Sequence, residues 1–197
     1  AWNEIKNNIL RFSLIIGVLT LVSYLVFFLS GLANGLENLN KEAVDKWDAN
    51  GIILTEESDI TLPQSIFEKG KYDGNGASET AVLAQFNAIA TSGDSKANVA
   101  IFGINEDEFI MPDVVEGKAF TENGEVIADD SLKEEGFEIG DELALSSIDE
   151  TLTIVGFTED AKFNAAPVLY GTLETYKIVR YGEQAEINED LINAYVV

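Results

Sequence analysis

The sequence from Leu10 to Trp47 reads LRFSLIIGVLTLVSYLVFFLSGLANGLENLNKEAVDKW, and it carries no charged residue between Phe12 and Leu36. A helix of about 20 apolar residues crosses the hydrocarbon core of a bilayer, which is about 30 Å thick. A cleaved secretory signal is the alternative, because Lys6 and Arg11 precede the run. The apolar region of such signals is about 7–15 residues long, however, and this run is longer. We therefore predict a transmembrane helix over residues 12–36.

The basic residues that flank this helix predict its orientation. Lys6 and Arg11 lie just before it, and the next basic residue, Lys41, lies beyond its far end. Under the positive-inside rule, the N-terminus is then cytoplasmic and the chain after the helix is extracytoplasmic. Residues 1–11 have the pattern of a short amphipathic start at the inner membrane surface. The sequence thus predicts a cell-membrane protein in contact with lipid, with its main domain outside.

One face of the transmembrane helix is small and polar. Its residues follow one another at intervals of four and three: Ser13, Gly17, Thr20, Tyr24, Phe27 and Gly31. Lipid accepts a uniformly aliphatic helix, so such a face indicates packing against a neighbouring helix. The residues that we predict to take part in helix packing are Gly17, Gly31, Gly35, Leu32, Leu36 and Leu39.

We expect the helix to continue beyond the membrane as a stalk over residues 37–49. No proline occurs before Pro63, and apolar residues again recur at intervals of four and three: Leu32, Leu36, Leu39, Ala43 and Trp47. This spacing is typical of a helix that packs through a coiled-coil-like seam. The pair Asn50-Gly51 is the predicted end of the helix.

Composition restricts the chemistry of the chain. It has 35 acidic and 12 basic residues, a formal net charge of −23, and neither cysteine nor histidine. Nucleic acid is not expected as a partner, because phosphate contacts need clustered lysine and arginine. Disulfides, thiolate metal sites and hydrolytic triads built on histidine are excluded. The acidity fits a solvated outer surface and leaves room for a cationic ligand or metal.

The sequence does not predict an enzyme. A phosphate-binding loop needs the pattern G-x-x-x-x-G-K-[ST], and neither Gly70-Lys71 nor Gly117-Lys118 completes it. Oxygen-bearing side chains alternate over residues 73–79, but a calcium-binding EF-hand loop takes about 12 residues, so we interpret this segment as a polar turn. Paired carboxylates are interpreted as helix caps and surface residues: Asp129/Asp130 and Glu134/Glu135.

The chain after residue 50 predicts an α+β fold. Alternating apolar residues predict strands over 80–93 and 92–104 that form an antiparallel hairpin. Residues 51–62 predict a strand, and residues 65–79 predict a short helix followed by a loop. The remaining predicted elements are strands near 125–128, 141–146 and 151–157, a short helix capped by Asp130 or Ser131 and ended by Gly136, a buried short strand in NAAPVLYG, a helix over 172–179 and a closing strand.

Several short motifs occur in this order: GINEDEF from Gly103, EGK from Glu116, GD at Gly140 and IVG from Ile154. Together with the single span and stalk, they resemble the MacB/FtsX-like permeases of ABC transporters over nearly the whole chain. The N-terminal pattern WNEIKNNILRFSLIIGV is similar to the haemin-exporter branch, the HrtB-like permeases.

The resemblance implies the N-terminal part of a permease subunit, with further transmembrane helices beyond this sequence. It implies a porter-like α/β subdomain over residues 50–108 and 166–197, and a β-rich inserted subdomain over 109–165. A separate ABC ATPase subunit would be the partner, and two copies of the chain would form a homodimer through the transmembrane and stalk helix. ATP hydrolysis in the cytoplasm would move the outer domain through the stalk.

The resemblance also implies export of a hydrophobic or amphipathic substrate, with haem as a candidate cargo and no intrinsic cofactor. The residues predicted to line the substrate path are Tyr24, Phe28 and Glu37. Because histidine and cysteine are absent, haem iron would have to bind tyrosine, methionine or a carboxylate. Ordinary helix packing for Tyr24 and an ordinary exposed position for Glu37 are the alternatives.

Two other functions fit the same features. An FtsX-type regulator would transmit force to a cell-wall hydrolase, and it would need a protein-docking surface on the outer domain. A single-span sensor or anchored binding domain would need a chain that ends near Val197.

Overall fold

The computed structural model describes residues 8–72, 79–146 and 150–197, without the side chains of residues 37–41. Within it, the chain divides into two units, Ala1–Leu39 and Asn40–Val197. The sequence prediction of one long helix followed by a mixed, sheet-rich domain is confirmed.

The first helix, α1, spans Ile9–Asp45 and runs through both units. Its segment Ile9–Leu36 is long and apolar enough to cross a membrane, and its large apolar side chains are exposed. The predicted end at Asn50-Gly51 is wrong, because α1 ends at Asp45 and Asp48 already has a left-handed backbone with φ of 49°. Of the predicted amphipathic start at residues 1–11, residues 1–7 lie outside the described residues.

The second unit contains twelve strands and one further α-helix among its described residues. The first strands are β1 (Ile52–Ile53), β2 (Phe67–Glu68), β3 (Ala81–Ser92), β4 (Ser95–Ile104), β5 (Glu116–Gly117) and β6 (Glu125–Asp129). There follow β7 (Glu142–Leu145), β8 (Thr151–Thr158), β9 (Lys162–Phe163), β10 (Ala166–Thr172), the helix α2 (Leu173–Tyr181), β11 (Leu191–Ile192) and β12 (Ala194–Val196). Short 3-10 helices lie at Glu56–Ser58, Leu62–Gln64, Asp130–Glu135 and Gly182–Gln184.

The main sheet has the strand order β1-β12-β3-β4-β10-β6-β8-β5. Strand β7 pairs with both β3 and β8, so β3, β4, β10, β6, β8 and β7 form a closed circuit of paired strands. Two of these pairs are parallel, β4 with β10 and β6 with β8. Three consecutive strands of this circuit, β3, β4 and β10, come from the predicted subdomain of 50–108 with 166–197, and the other three, β6, β8 and β7, come from the predicted subdomain of 109–165. Both sets belong to one sheet, and the division into two subdomains stays a prediction.

The strands of the hairpin β3–β4 are apolar on both faces. In β4, Val99 and Ile101 belong to one hydrophobic cluster, while Ala100 and Phe102 belong to a second. Helix α2 contributes Tyr176 to the first cluster, and the end of α1 contributes to the second. Burial on both faces explains why this hairpin carries an almost continuous apolar run, as expected for a sheet covered on each side.

The hairpin, the strands near 125–128, 141–146 and 151–157, and the helix near 172–179 are confirmed. The short helix predicted within residues 65–79 is wrong, because Phe67–Glu68 pairs as β2 with β11. The polar turn that we compared with a calcium-binding loop spans residues 73–79, and all of it except Glu79 lies outside the described residues. Of the strand predicted over residues 51–62, only Ile52–Ile53 forms a paired strand, β1.

The short helix after β6 has a different cap from the predicted one. It is a 3-10 helix, and the side chain of Asp129, not that of Asp130 or Ser131, accepts a hydrogen bond from the Ser131 backbone N–H. Gly136 ends this helix as predicted, with a left-handed φ of 90° that glycine adopts without strain.

Candidate functional site

The predicted substrate-lining residues lie on α1. The rings of Tyr24 and Phe28 stack one helical turn apart, with centroids 6.1 Å from each other. Both side chains are exposed, by 63% and 54%. The backbone of Glu37 is helical, but its side chain lies outside the described residues. The structure thus brings two of the three predicted residues together, and their role as a substrate path stays a prediction.

The predicted helix-packing residues lie on the same helix. A Cβ atom added to Gly17, Gly31 or Gly35 would meet nothing within 4 Å in this chain. Leu32 and Leu36 are about half exposed, and the side chain of Leu39 lies outside the described residues. These positions leave space for a neighbouring helix, and dimerisation through them stays a prediction.

The end of α1 and the turn after it are buried in the second unit. Ala43 is 1% exposed and Trp47 is 5% exposed. The indole ring of Trp47 lies 6.0 Å from the ring of Phe102 in β4, which packs edge-to-face on Tyr170 at 5.5 Å. Ala43 and Trp47 therefore do not continue the predicted coiled-coil seam. Their apolar face is covered by the sheet of their own chain.

Polar contacts fix the same helix end to the residues between β8 and β10. We call residues 159–162 the latch loop. The Lys46 ammonium donates a hydrogen bond to the backbone carbonyl of Glu159 and lies 3.9 Å from the Asp160 carboxylate. Asp160 has a left-handed backbone, with φ of 46°. We call Glu42, Ala43, Lys46 and Trp47, together with the latch loop, the helix anchor.

Glu42 makes the second polar contact of the helix anchor. Its carboxylate interacts electrostatically with Lys162 of the latch loop. Burial raises the pKa of Glu42, and the negative charges of Asp160 and Asp129 raise it further, whereas the Lys162 ammonium lowers it. The carboxylate therefore takes up a proton at higher pH than an ordinary glutamate.

The last residue of the chain lies beside the chain segment that follows the helix anchor. The backbone N–H of Gly51 donates to the carbonyl of Val197 at 3.0 Å, and the Val197 N–H donates to the carbonyl of Gly51 at 3.0 Å. Strands β1 and β12 continue this pairing. The backbone at Val197 is thus paired with the backbone at Gly51.

The helix anchor holds the end of α1 against the second unit's sheet by packing and polar contacts. Among the described residues, no group of three or more acidic side chains is arranged to hold a metal ion. Its contacts are apolar burial, an ammonium–carbonyl hydrogen bond and the electrostatic interaction of Glu42 with Lys162, which resist displacement of a helix end. The sequence did not predict the helix anchor, because the spacing of Ala43 and Trp47 fits a seam between two helices equally well.

Comparison with known proteins gives one family. A family model described as the MacB-like periplasmic core domain matches residues 12–196. A Staphylococcus epidermidis protein named as the hemin transport system permease HrtB is 26% identical over 172 residues, which cover 86% of this chain and 48% of that protein. Its namesake from Staphylococcus haemolyticus is 20% identical over 181 residues, 90% of this chain and 50% of that protein. The chain spans about half the length of the curated relatives it matches.

A solved structure has a similar fold. The extracellular domain of the noncanonic ABC-type transporter YknZ from Gram-positive bacteria superposes with a TM-score of 0.50 and 12% sequence identity. The match covers 74% of this chain and 81% of the YknZ domain. At this identity, the likeness shows the fold alone.

Proposed function

The chain belongs to the family of the MacB-like periplasmic core domain, and we propose that it is the N-terminal part of the permease subunit of an ABC-type exporter. In this proposal, a separate ATPase subunit hydrolyses ATP in the cytoplasm. Movement of α1 then displaces the extracytoplasmic domain, and a hydrophobic or amphipathic substrate leaves the cell.

The observation that carries the proposal is the helix anchor. A tether that merely holds a domain at the membrane needs only a covalent link and a flexible connection. Here the last turn of a membrane-capable helix and the residues after it are packed into the domain, with Ala43 and Trp47 buried and Lys46 bonded to the latch loop. Such packing lets a displacement of the helix end act directly on the sheet, since packed interiors transmit strain.

The proposed arrangement places residues 1–11 in the cytoplasm and the second unit outside the membrane. Lys6 and Arg11 support this orientation through the positive-inside rule. Two copies of the permease would meet along the faces that hold Gly17 and Gly31, where an approaching helix meets no side chain of this chain.

Haem is the proposed cargo. The two relatives described above carry hemin transport in their names. The chain carries an aromatic pair near the middle of the membrane segment Ile9–Leu36 and an acidic residue, Glu37, just beyond its end. Tyr24 and Phe28 form an exposed stacked pair on which a flat porphyrin can pack. In the proposed path, Glu37 receives the haem where it leaves the membrane, and oxygen atoms of Tyr24 or Glu37 contact the iron.

A growth assay tests the proposed function. The full-length permease and its ATPase are expressed in cells that lack their own haem exporter, and the cells are exposed to toxic haemin. We expect protection that disappears when the ATPase is inactivated at its phosphate-binding lysine. Equal haemin sensitivity with and without the permease would contradict haem as the cargo.

A further inference from the structure

Asp129 is a buried carboxylate at the end of β6. It is 1% exposed, and burial of a charge is costly unless hydrogen bonds replace its water shell. One carboxylate oxygen, Oδ1, accepts hydrogen bonds from the backbone N–H and the hydroxyl of Ser131, the former at 3.1 Å. These two bonds cap the short helix that begins at Asp130.

The other oxygen of the Asp129 carboxylate contacts a residue that is distant in the sequence. Oδ2 accepts a hydrogen bond of 2.7 Å from the backbone N–H of Ala161, which lies 32 residues further on. Ala161 is 1% exposed, so water cannot replace this partner if it is lost. Its carbonyl accepts from the N–H of Val168 in β10 at 2.9 Å. The centre of the latch loop is therefore fixed to β6 and β10.

The residues on both sides of Ala161 contact the end of α1. The Glu159 carbonyl accepts from Lys46, and Lys162 interacts electrostatically with Glu42. The latch loop is thus held at two places. We call the hydrogen bond from Ala161 to Asp129 the inner hold, and the hydrogen bond from Lys46 to Glu159 the outer hold. Asp160 between them has a positive φ of 46°, a left-handed conformation that aspartate adopts more readily than most residues.

We propose that Asp129 is a positioning residue whose buried carboxylate fixes the latch loop. Because the latch loop also bonds to Lys46, the hydrogen bond between Asp129 and Ala161 couples the end of α1 to the sheet. The role of this coupling in transport rests on the proposed function. The contact between Asp129 and the latch loop does not rest on the proposed function, and it is measured on the purified chain alone.

Hydrogen exchange of backbone amides in the detergent-purified chain tests the hold. Asp129→Asn keeps the size of the side chain but replaces one oxygen with an amide nitrogen, which cannot accept a hydrogen bond. We expect the remaining oxygen to stay with the two donors of Ser131, so that the nitrogen faces the Ala161 N–H and leaves it without an acceptor. We expect the amide of Ala161 to exchange at least tenfold faster in this variant, with no change in the amides of β4. The matched control is Asp130→Asn, which removes the same charge one residue later and should leave Ala161 protected. Unchanged protection in Asp129→Asn, or equal acceleration throughout the domain, would overturn the proposal.

A second variant keeps the proposal testable if Asp129→Asn does not fold. Lys46→Ala removes the outer hold and leaves Asp129 intact, so Ala161 should remain protected. Loss of protection at Ala161 in Lys46→Ala would show that the helix end, and not Asp129, fixes the latch loop. If the exchange results hold while the wild-type permease shows no ATP-dependent efflux, the positioning role stands and the proposed transport function fails.

Discussion

The indole of Trp47 packs against Phe102, with ring centroids 6.0 Å apart. This pair joins the segment that follows a membrane-capable helix to a strand at the centre of the sheet. Because Trp47 is 5% exposed, the stability of the second unit depends on a residue that directly follows α1. The contact makes the helix end part of the folded domain.

Trp47→Ala should destabilise the second unit strongly. Large-to-small substitutions of buried aromatic residues cost about 3–5 kcal/mol, through lost transfer free energy and the cavity that remains. Urea unfolding of the detergent-solubilised chain measures this loss. Ile187→Ala is the control, because Ile187 is 84% exposed and its truncation should change stability by less than about 0.5 kcal/mol. Equal effects of both substitutions would contradict the buried position of Trp47.

Gly103→Ala should also destabilise the fold. A Cβ at Gly103 in β4 would collide with the Cβ of Tyr176 in α2, so the helix would have to move away from the sheet. Overpacking of this kind costs about 1–3 kcal/mol. Gly51→Ala is the control, since a Cβ there meets nothing within 4 Å. If Gly103→Ala unfolds at the same urea concentration as the wild type, α2 does not pack on β4 as described.

Lys46→Ala should separate ATP hydrolysis from transport. The Lys46 side chain is 45% exposed, so its removal should cost less than about 1 kcal/mol of stability. It should nevertheless lower the amount of haemin exported for each ATP hydrolysed, because the helix end loses its bond to the latch loop. Glu159→Ala is a matched control. Lys46 bonds to the backbone carbonyl of Glu159, so removal of that side chain should leave the coupling ratio unchanged.

Glu42→Gln should change stability in a pH-dependent way. Burial raises the pKa of Glu42 in the folded chain, so the ionised form disfavours folding, and this cost appears as the pH rises through the folded-state pKa. The variant should match the wild type at about pH 4 and be more stable at about pH 7. Solvent screening at this partly exposed site limits the gain to less than about 1 kcal/mol. A variant that is less stable at neutral pH would show that the attraction of the Glu42 carboxylate to Lys162 outweighs the cost of burying its charge.

Haemin titration tests the proposed path on α1. The purified chain should give a saturable shift of the Soret band, and Glu37→Ala and Tyr24→Ala should each weaken the apparent affinity at least tenfold. Tyr24→Phe keeps the ring that stacks on Phe28 and removes only the hydroxyl. If Tyr24→Phe binds like the wild type while Tyr24→Ala does not, Tyr24 acts through stacking and not as an iron ligand. Unchanged binding in all three variants would exclude these residues from the path.

Local sequence pattern was enough to predict the elements whose cause is local. The hairpin β3–β4 follows from two largely apolar segments on either side of the turn at Gly93, and α1 follows from an uninterrupted apolar run. Strand β2 could not be predicted, because Phe67–Glu68 becomes extended only by pairing with Leu191–Ile192, more than a hundred residues later in the chain.

The helix anchor could be predicted only in part. The four-and-three spacing of Ala43 and Trp47 shows that one helix face is covered, but spacing does not show what covers it. The bond of Lys46 to a backbone carbonyl leaves no trace in the sequence, since any residue at position 159 supplies the same acceptor. The sequence predicted Asp130 or Ser131 as the cap of the short helix after β6, whereas Asp129 caps it. The second carboxylate oxygen of Asp129 reaches Ala161 through tertiary structure alone.

The most direct test of the exporter function is ATP-driven haemin efflux from proteoliposomes that contain the full-length permease and its ATPase. We predict efflux that requires ATP, with the haemin-to-ATP ratio lowered severalfold in Lys46→Ala and unchanged in Glu159→Ala. ATP hydrolysis by the intact wild-type complex without any haemin efflux would contradict the account.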